Sequence, residues 1–167
     1  MLEPSPHWTD DAWFADQDDR TLIANDGWLA LREGETTGRI VGGNLCTLNL
    51  LQGTAYMPSL DRALLFLEDD YLTSPVELAR NLTSLLQVEG AEDIAGLAIG
   101  RFQRASGIST ETLEAIVARQ PALAGKPVLA GLDFGHTSPM ITFPVGGEAS
   151  MRVGSGAGGS SLVLTRH

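Results

Sequence analysis

The sequence predicts an α/β domain in which helices pack on a mixed sheet. Apolar runs of strand length recur in the segments 63–70, 93–102 and 126–135, and such runs are typical of strands that are buried on both faces. Helical patterns separate these runs. Short strand-like segments with glycine-rich turns then follow towards the C-terminus, as in antiparallel hairpins. Alternating buried strands and helices, followed by hairpins, indicate a layered α/β fold.

Length and charge limit the classes of function. The chain has 167 residues, of which 43% are hydrophobic, which suits one domain with a substantial core. Asp and Glu number 21 against 11 Lys and Arg, and the formal net charge is −10. No basic cluster interrupts this excess of acid. Nucleic acids and anionic membrane surfaces are therefore disfavoured as partners, because each requires a cationic surface.

Cysteine content and the N-terminus bear on the compartment. Cys46 is the sole cysteine, so an intrachain disulfide and a zinc–thiolate cluster are both excluded. The N-terminus has neither the basic region nor the apolar region of a secretory signal. No apolar run approaches the length of a membrane span. We therefore expect a cytoplasmic protein without a membrane partner.

Residues 1–26 differ in composition from the remainder of the chain. They are polar, acidic and proline-bearing, yet they contain Trp8, Trp13 and Phe14. This composition predicts an entry segment or linker that packs in places. Residues 27–167 are predicted to form the domain itself.

The first elements of the domain are a strand and a short helix. The sequence predicts a strand over 39–41 that runs into two glycines. Leu45 and Leu48 have helical spacing, and Gly53 is the expected C-terminal stop of that helix. Trp28, which precedes these elements, is predicted to lie in the core.

The next helix has the strongest local signals in the sequence. Ser74, Pro75 and Glu77 form a capping box with proline in the first turn. An apolar stripe follows at Leu78, Leu82, Leu85 and Leu86, and Gly90 closes the helix. A shorter helix is predicted over 109–119, with Leu113, Ile116 and Val117 on one face.

The C-terminal part predicts antiparallel strands in "MITFPVG", "ASMRVG" and "SLVLTR". The intervening segment 154–161, "GSGAGGSS", is predicted to be a flexible hairpin loop. A phosphate-binding loop is disfavoured, because the Lys-Ser/Thr ending is missing and no helix follows.

Two of the buried strands end in groups that can carry chemistry. The first delivers Glu68, and the third delivers Asp133 and His136. Ligands and catalytic groups gather at the carboxyl ends of strands in open α/β sheets. A carboxylate that orients an imidazole supports the nucleophile of many hydrolases. Glu68 and His136 are thus a candidate catalytic pair if their strands are neighbours; the alternative is a surface acid and an unrelated structural histidine.

A metal site is a weaker candidate. His7 and His167 lie at the termini and belong to no motif with ligand spacing, whereas a zinc hydrolase needs about three protein ligands. The acidic run 68–70 could bind Mg²⁺ or Ca²⁺ weakly, but an acidic strand end is usually only solvated. We expect neither a metal nor a cofactor.

Three stretches carry a resemblance to a known family. "GRIVGGNLCTLNLLQGTAYMPSLDRALLFLEDD", "GLAIGRF" and "GLDFGHTSPMITFPVGG" resemble the C-terminal domain of the LD-carboxypeptidase family of serine peptidases, nearest to its microcin C immunity branch. The matching motifs are Gly-Gly-Asn-Leu at 42–45, Leu-Glu-Asp at 67–69 and Gly-His-Thr at 135–137. The resemblance runs from about residue 8 to residue 151. It implies a swivelling β/β/α domain that closes over a flavodoxin-like N-terminal domain.

The resemblance also implies catalytic roles. Glu68 would be the acid and His136 the general base of a Ser-Glu-His triad. The family's serine lies in the N-terminal domain, and no serine here has the setting of a nucleophile elbow. We therefore expect the C-terminal half of a serine carboxypeptidase or amidase, inactive alone and partnered by that domain. The alternative is a stand-alone binding or dimerisation domain with a vestigial Glu/His pair; a homodimer stays open.

The substrate follows from the branch of the family. The microcin-immunity branch cleaves the amide between an aminoacyl group and a nucleotide-like phosphoramidate or sulfamate, and the murein branch removes the terminal D-alanine of a tetrapeptide. The His-Thr-Ser-Pro-Met run is more similar to the first. Trp8 and Trp13 lie in the segment that supplies base-stacking indoles in that branch, although packing of the linker explains them equally well. Asn44 is expected to contact substrate.

Overall fold

The computed structural model describes residues 1–12, 14–155 and 159–167. Within these residues the strands are β1 (His7–Trp8), β2 (Ile23–Ala24), β3 (Leu29–Arg32), β4 (Gly34–Asn44), β5 (Ala63–Glu68), β6 (Gly96–Gly100), β7 (Val128–Leu132), β8 (Glu148–Val153) and β9 (Ser161–Arg166). The α-helices are α1 (Leu45–Asn49), α2 (Pro75–Leu85) and α3 (Thr110–Ala118). Three short 3₁₀ turns cover Ala91–Asp93, Arg104–Ser106 and Pro121–Leu123.

One seven-stranded sheet organises the molecule, in the order β3-β7-β6-β5-β4-β8-β9. Neighbouring strands from β4 to β7 run parallel, whereas the pairs β3–β7, β4–β8 and β8–β9 are antiparallel. The α/β class with a mixed sheet is therefore confirmed. The parallel centre brings the carboxyl ends of β4, β5, β6 and β7 to the same edge.

Alternate residues of β5 enter two separate cores. Leu65 and Leu67 belong to the larger core, which includes apolar residues of all three helices. Leu64 and Phe66 belong to the smaller core on the opposite face. Trp28 is only half-buried, where it packs against the smaller core. Burial on both faces explains why β5 is a continuous apolar run.

Strand β4 is much longer than the three residues predicted for it. It spans Gly34–Asn44 and pairs with β5 from Arg39 to Asn44. Two glycines that look like a turn in the sequence lie within the strand instead. A Cβ at Gly42 would be 1.8 Å from the carbonyl oxygen of Phe66, so only glycine allows this close approach of the two backbones.

The helices follow their predicted signals closely. Helix α2 begins after Ser74, and both hydrogen bonds of the Ser74–Glu77 capping box are formed. Helix α3 is capped by Ser109, whose side chain accepts from the Thr112 N–H. Helix α1 ends at Asn49, before the predicted glycine stop, and turns follow it.

The C-terminal strands are only partly as predicted. β8 and β9 form the expected antiparallel pair, while the centre of their connection, residues 156–158, lies outside the described residues. The strand predicted in "MITFPVG" is wrong, since residues 140–146 form no strand. Ile141 and Phe143 instead pack against the smaller core from a loop, so their apolar character reflects packing and not strand pairing.

The segment 1–26, called the N-terminal segment below, lies against the domain in its described part. β1 and β2 pair as a small antiparallel hairpin, and Leu2 bridges to Leu162 of the edge strand β9. The assignment of this segment as a linker stays a prediction. No helix in the described part of the chain is long and apolar enough to cross a lipid bilayer.

Candidate active site

Glu68 is the last residue of β5, at the carboxyl edge of the parallel strands. Its side chain is 10% exposed. A carboxylate at this depth needs a hydrogen-bonding or charged partner, because burial disfavours an unpaired charge. The partner comes from the loop that follows β7.

His136 supplies that partner. Its Nδ1 lies 2.7 Å from Glu68 Oε2, and its side chain is 46% exposed. With ionised Glu68 as acceptor, Nδ1 carries the proton and donates it, so the lone pair of neutral His136 is on Nε2. The proximity expected from the sequence is present, and the catalytic role of the pair stays a prediction.

The strands that carry the pair are not neighbours, although the sequence analysis made this the condition for the pair. β6 lies between β5 and β7, so the loop after β7 must pass over the end of β6. Two glycines make room: a Cβ at Gly100 would lie 2.5 Å from the Phe134 oxygen, and one at Gly135 would lie 2.7 Å from Glu68 Oε2. Gly135 also has a positive φ of 104°, which favours glycine. The sequence did not predict this role for either glycine; a glycine at or shortly after the end of an apolar run was the available signal.

His136 borders a cleft of about 360 Å³. The cleft wall includes carboxylates, exposed rings and a thioether, from Asp10, Asp11, Phe14, Asp70, Tyr71 and Met140. Phe14 is 78% exposed and Tyr71 53% exposed. The cleft is therefore an open site with aromatic faces beside the imidazole.

Asn44 lies beside Glu68, since the two residues are paired in register between β4 and β5. Its Oδ1 caps α1 by accepting from the Thr47 N–H at 2.9 Å. Its Nδ2 donates to Asp69 Oδ1 at 3.0 Å. In this structure the amide group of Asn44 therefore holds the edge of the sheet together, and its predicted substrate contact is untested.

Asp133 lies apart from His136 in its contacts, although both follow β7. It is 1% exposed, and its Oδ1 is 3.3 Å from an Arg101 nitrogen. Its Oδ2 accepts from the Ser5 N–H at 2.8 Å. These contacts make Asp133 an anchor between β7 and the N-terminal segment.

The tryptophans predicted to bind substrate are not both described. Trp13 lies outside the described residues. Trp8 lines a different cavity, of about 260 Å³, together with Arg101 and residues at the start of α3. The Arg101 guanidinium lies over the Trp8 ring, 4.9 Å from its centroid, which covers one face with a cation–π contact.

One ion pair at the cleft perturbs a carboxyl group. Asp10 accepts from the Arg104 backbone N–H at 2.7 Å and from Arg104 Nε at 2.8 Å. Burial acts to raise the pKa of Asp10, but the hydrogen bonds and positive charge of Arg104 outweigh it, so the pKa lies below its ordinary value of 3.8. Asp10 is therefore held as a carboxylate.

No group of three or more His, Cys, Asp or Glu side chains has an arrangement that could hold a metal ion, among the residues that the structure describes. The acidic residues that follow β5 do not share a common set of contacts. Asp69 Oδ1 accepts hydrogen bonds from Asn44 Nδ2 and from the Asp70 N–H. Asp70 instead accepts from the Leu72 N–H.

Comparison with known sequences gives consistent relatives. A protein of Bacillus subtilis (strain 168) named "Putative carboxypeptidase YocD" is 40% identical over 166 residues, which are 99% of this chain and 50% of that protein. The B. subtilis "Probable murein peptide carboxypeptidase" is 33% identical over 71% of this chain and 38% of its own length. The "Microcin C7 self-immunity protein MccF" of Escherichia coli is 33% identical over 68% of this chain and 33% of its own length. The chain thus spans half or less of these relatives.

Solved structures agree. An MccF-like protein from Bacillus anthracis (strain Ames) is 41% identical and superimposes with a TM-score of 0.94, over 99% of this chain and 51% of that one. MccF in complex with glutamyl sulfamoyl guanosine shares the fold, with a TM-score of 0.77 at 23% identity, over 99% of this chain and 50% of that one.

The family profile described as "LD-carboxypeptidase C-terminal domain" matches residues 37–151. This range runs from β4 through β8 and includes both members of the Glu68–His136 pair. The chain therefore belongs to the LD-carboxypeptidase C-terminal domain family.

Proposed function

We propose that Glu68 and His136 are the acid and the general base of a Ser-Glu-His triad that hydrolyses an amide bond. The observation that carries the proposal is the 2.7 Å contact between His136 Nδ1 and Glu68 Oε2 at the carboxyl edge of the sheet. Membership of the LD-carboxypeptidase C-terminal domain family supports a peptidase.

The exposure of the two side chains favours catalysis over a purely structural contact. Glu68 is 10% exposed, whereas His136 is 46% exposed and borders an open cleft. A buried carboxylate behind an accessible imidazole is the arrangement that a general base requires, because the carboxylate orients the ring and leaves one nitrogen for the reaction.

The proton transfers follow from this orientation. His136 Nε2 takes the proton of the serine hydroxyl while the serine oxygen attacks the substrate carbonyl carbon. Glu68 then stabilises the imidazolium, which gives its proton to the leaving nitrogen as the carbon–nitrogen bond breaks. Water releases the acyl group by the same route, with His136 again as base. Glu68 stays ionised throughout.

We further propose that the serine comes from a flavodoxin-like domain outside this chain. Ser138 lines the cleft, but its backbone N–H and carbonyl both pair with Thr9, and it lies on no strand-to-helix turn. Ser74 is occupied as the cap of α2. The chain spans about half of YocD, which leaves room in such proteins for a second domain.

For the substrate, we propose an aminoacyl-nucleotide rather than a murein tetrapeptide. The exposed rings of Phe14 and Tyr71 in the cleft support this choice, because nucleobases stack on exposed aromatic side chains. The neighbour MccF has been solved with an aminoacyl sulfamoyl nucleoside. Sequence identity does not separate the substrates, since the murein and microcin relatives are both 33% identical.

The test of the triad uses the protein that contains both domains. Glu68→Gln should leave the fold intact and lower kcat by about 10⁴-fold, as loss of the orienting carboxylate does in a comparable triad. His136→Ala should remove nearly all turnover. The double variant should be little worse than His136→Ala, because the residues act as a unit.

The matched control for this test is Glu148→Gln, at a partly exposed carboxylate that pairs with Arg166 on β9. It should retain parental turnover. Near-normal kcat in Glu68→Gln would overturn the proposal, as would hydrolysis by the 167-residue chain alone that a His136→Ala version abolishes.

The substrate proposal has its own test. Tyr71→Ala should raise KM for an aminoacyl sulfamoyl adenosine by roughly 10-fold or more, since stacking on one ring is worth about 1–3 kcal/mol. KM for a murein tetrapeptide should stay unchanged. Tyr56→Ala, at a ring that is 83% exposed and does not line the cleft, is the control. Equal losses on both substrates would contradict the nucleotide proposal.

A further inference from the structure

The loop that carries His136, residues 133–141, is attached at its start to the N-terminal segment. The buried Asp133 carboxylate accepts from the Ser5 N–H at 2.8 Å and from Asn25 Nδ2 at 3.4 Å. Ser5 and Asn25 are also joined, since Asn25 Nδ2 donates to the Ser5 carbonyl at 2.7 Å. Both ends of the β1–β2 hairpin thus meet at Asp133.

A second attachment lies on the other side of His136. Thr9 and Ser138 exchange two backbone hydrogen bonds, each of 2.8 Å. Thr9 is 1% exposed, so water does not compete readily for these bonds. His136 lies three residues after Asp133 and two residues before Ser138. The N-terminal segment therefore constrains the backbone on both sides of the imidazole.

A third contact joins the N-terminal segment to the residues that follow β6. Asp10, next to Thr9, receives hydrogen bonds from the backbone and the guanidinium of Arg104. Arg104 follows β6, the strand over which the His136 loop passes. Nη2 of its guanidinium also lies 2.6 Å from Asp10 Oδ1. The N-terminal segment is thus joined to the loop through Thr9 and to the residues after β6 through Asp10.

We propose that residues 5–10 are a positioning element that sets the imidazole of His136 against Glu68. The proposal rests on the catalytic role given to this pair. Because the imidazole is 46% exposed, packing constrains it weakly, and its orientation depends on the loop backbone and on the hydrogen bond to Glu68. Residues 5–10 touch no reacting atom; they act through the position of His136.

The test loosens the element without touching the pair. Asp10→Ala removes the contact to Arg104. The matched control is Asp16→Ala, which removes a carboxylate of the same segment whose hydrogen bonds go to its neighbours Asp18 and Asp19. Both variants are made in the chain described here and compared by thermal unfolding, which shows whether each one folds.

The readout is the imidazole itself. In long-range ¹H–¹⁵N spectra, with His136 assigned through His136→Gln, the parent should show neutral His136 as the Nδ1–H tautomer with slowed exchange of that proton. Asp10→Ala should increase the exchange rate by at least ~10-fold and mix the tautomers, whereas Asp16→Ala should match the parent. A general loss of stability would not alter the tautomer in a folded variant.

In the protein that contains both domains, Asp10→Ala should lower kcat by up to ~10²-fold, because a misplacement of about 1 Å costs that much. Asp10→Glu should restore part of the loss. If Asp10→Ala does not fold, Arg104→Gln removes the guanidinium hydrogen bonds to Asp10 and keeps the backbone N–H bond, so the same increase in exchange is expected at a smaller size. Parental tautomer and exchange in a folded Asp10→Ala or Arg104→Gln overturn the positioning role. Normal turnover in Glu68→Gln overturns the triad instead, so the two failures are distinguishable.

Discussion

Strand β5 and the N-terminal segment meet at the same site but are held in place by different forces. All six residues of β5 are buried, and its side chains enter apolar cores on both faces of the sheet. Most of the N-terminal segment is exposed or half-exposed. It is fixed by hydrogen bonds that Ser5 donates, that Thr9 donates and accepts, and that Asp10 accepts. The hydrophobic stabilisation of a buried strand does not depend on the orientation of its contacts. A hydrogen bond, in contrast, joins two particular atoms at a defined geometry.

The difference assigns a separate task to each region. β5 delivers Glu68 from a rigid, buried strand. The N-terminal segment sets the loop that presents His136. The folding of the site therefore depends on the apolar cores, whereas the position of His136 relative to Glu68 depends on a few polar contacts.

Loss of core packing should have the largest effect on stability. Phe66 is fully buried and stacks on Phe134 with ring centroids 5.7 Å apart. Phe66→Ala should lower the free energy of unfolding by about 3–5 kcal/mol, since it removes apolar contacts and leaves a cavity. Urea unfolding monitored by circular dichroism measures this change.

Phe14→Ala is the matched control, because Phe14 lies in the N-terminal segment and is 78% exposed. It should change the free energy of unfolding by no more than ~0.5 kcal/mol. Equal effects of the two substitutions would mean that the segment is held by apolar burial, and the contrast between the regions would be wrong.

The Arg101–Asp133 ion pair, which anchors the N-terminal segment, should have the second-largest effect on stability. Arg101→Met removes the cation beside Asp133, whose side chain is 2% exposed, and should lower the free energy of unfolding by about 3 kcal/mol, because a buried charge is left uncompensated. The double variant Arg101→Met/Asp133→Asn should be more stable than Arg101→Met alone, because the buried carboxylate is also removed. Arg166→Met, which breaks an exposed pair with Glu148, should cost less than about 1 kcal/mol. If the two arginine substitutions cost the same, the anchor is no stronger than a surface pair.

The same contrast explains which parts of the fold the sequence predicts. The buried strands and α2 were predictable because their signals are local: apolar runs, a capping box and the Leu78–Leu82–Leu85 spacing. The strand predicted in "MITFPVG" was wrong because apolar residues also occur in a loop that covers a core. β4 was predicted too short because its first half pairs with β8, more than 100 residues along the chain, and because the close approach of Gly42 to Phe66 depends on a partner strand.

The candidate site divides in the same way. Glu68 and His136 were identifiable from strand ends and from resemblance, and their side chains do meet. The passage of the loop over β6 was not predictable, because it depends on strand order and on Gly100 and Gly135 together. The tie from Ser5 to Asp133 joins residues 128 positions apart, and no local pattern announces such a contact.

The smallest expected effect is the pH dependence of the Asp10–Arg104 contact. Because the pKa of Asp10 is lowered in the folded protein, the unfolded chain binds its proton first as the pH falls. The stabilisation by this carboxylate is therefore fully present above the ordinary value of 3.8 and is lost as the pH falls through the lower, folded value. Asp10→Asn should thus destabilise the chain at about pH 6, and the difference from the parent should shrink towards about pH 3. Urea unfolding across this range measures it. In an Arg104→Gln background the difference should be smaller at every pH, since the cation is gone and the backbone N–H bond to Asp10 stays. A difference between Asp10→Asn and the parent that stays constant with pH would show that the contact contributes through shape alone.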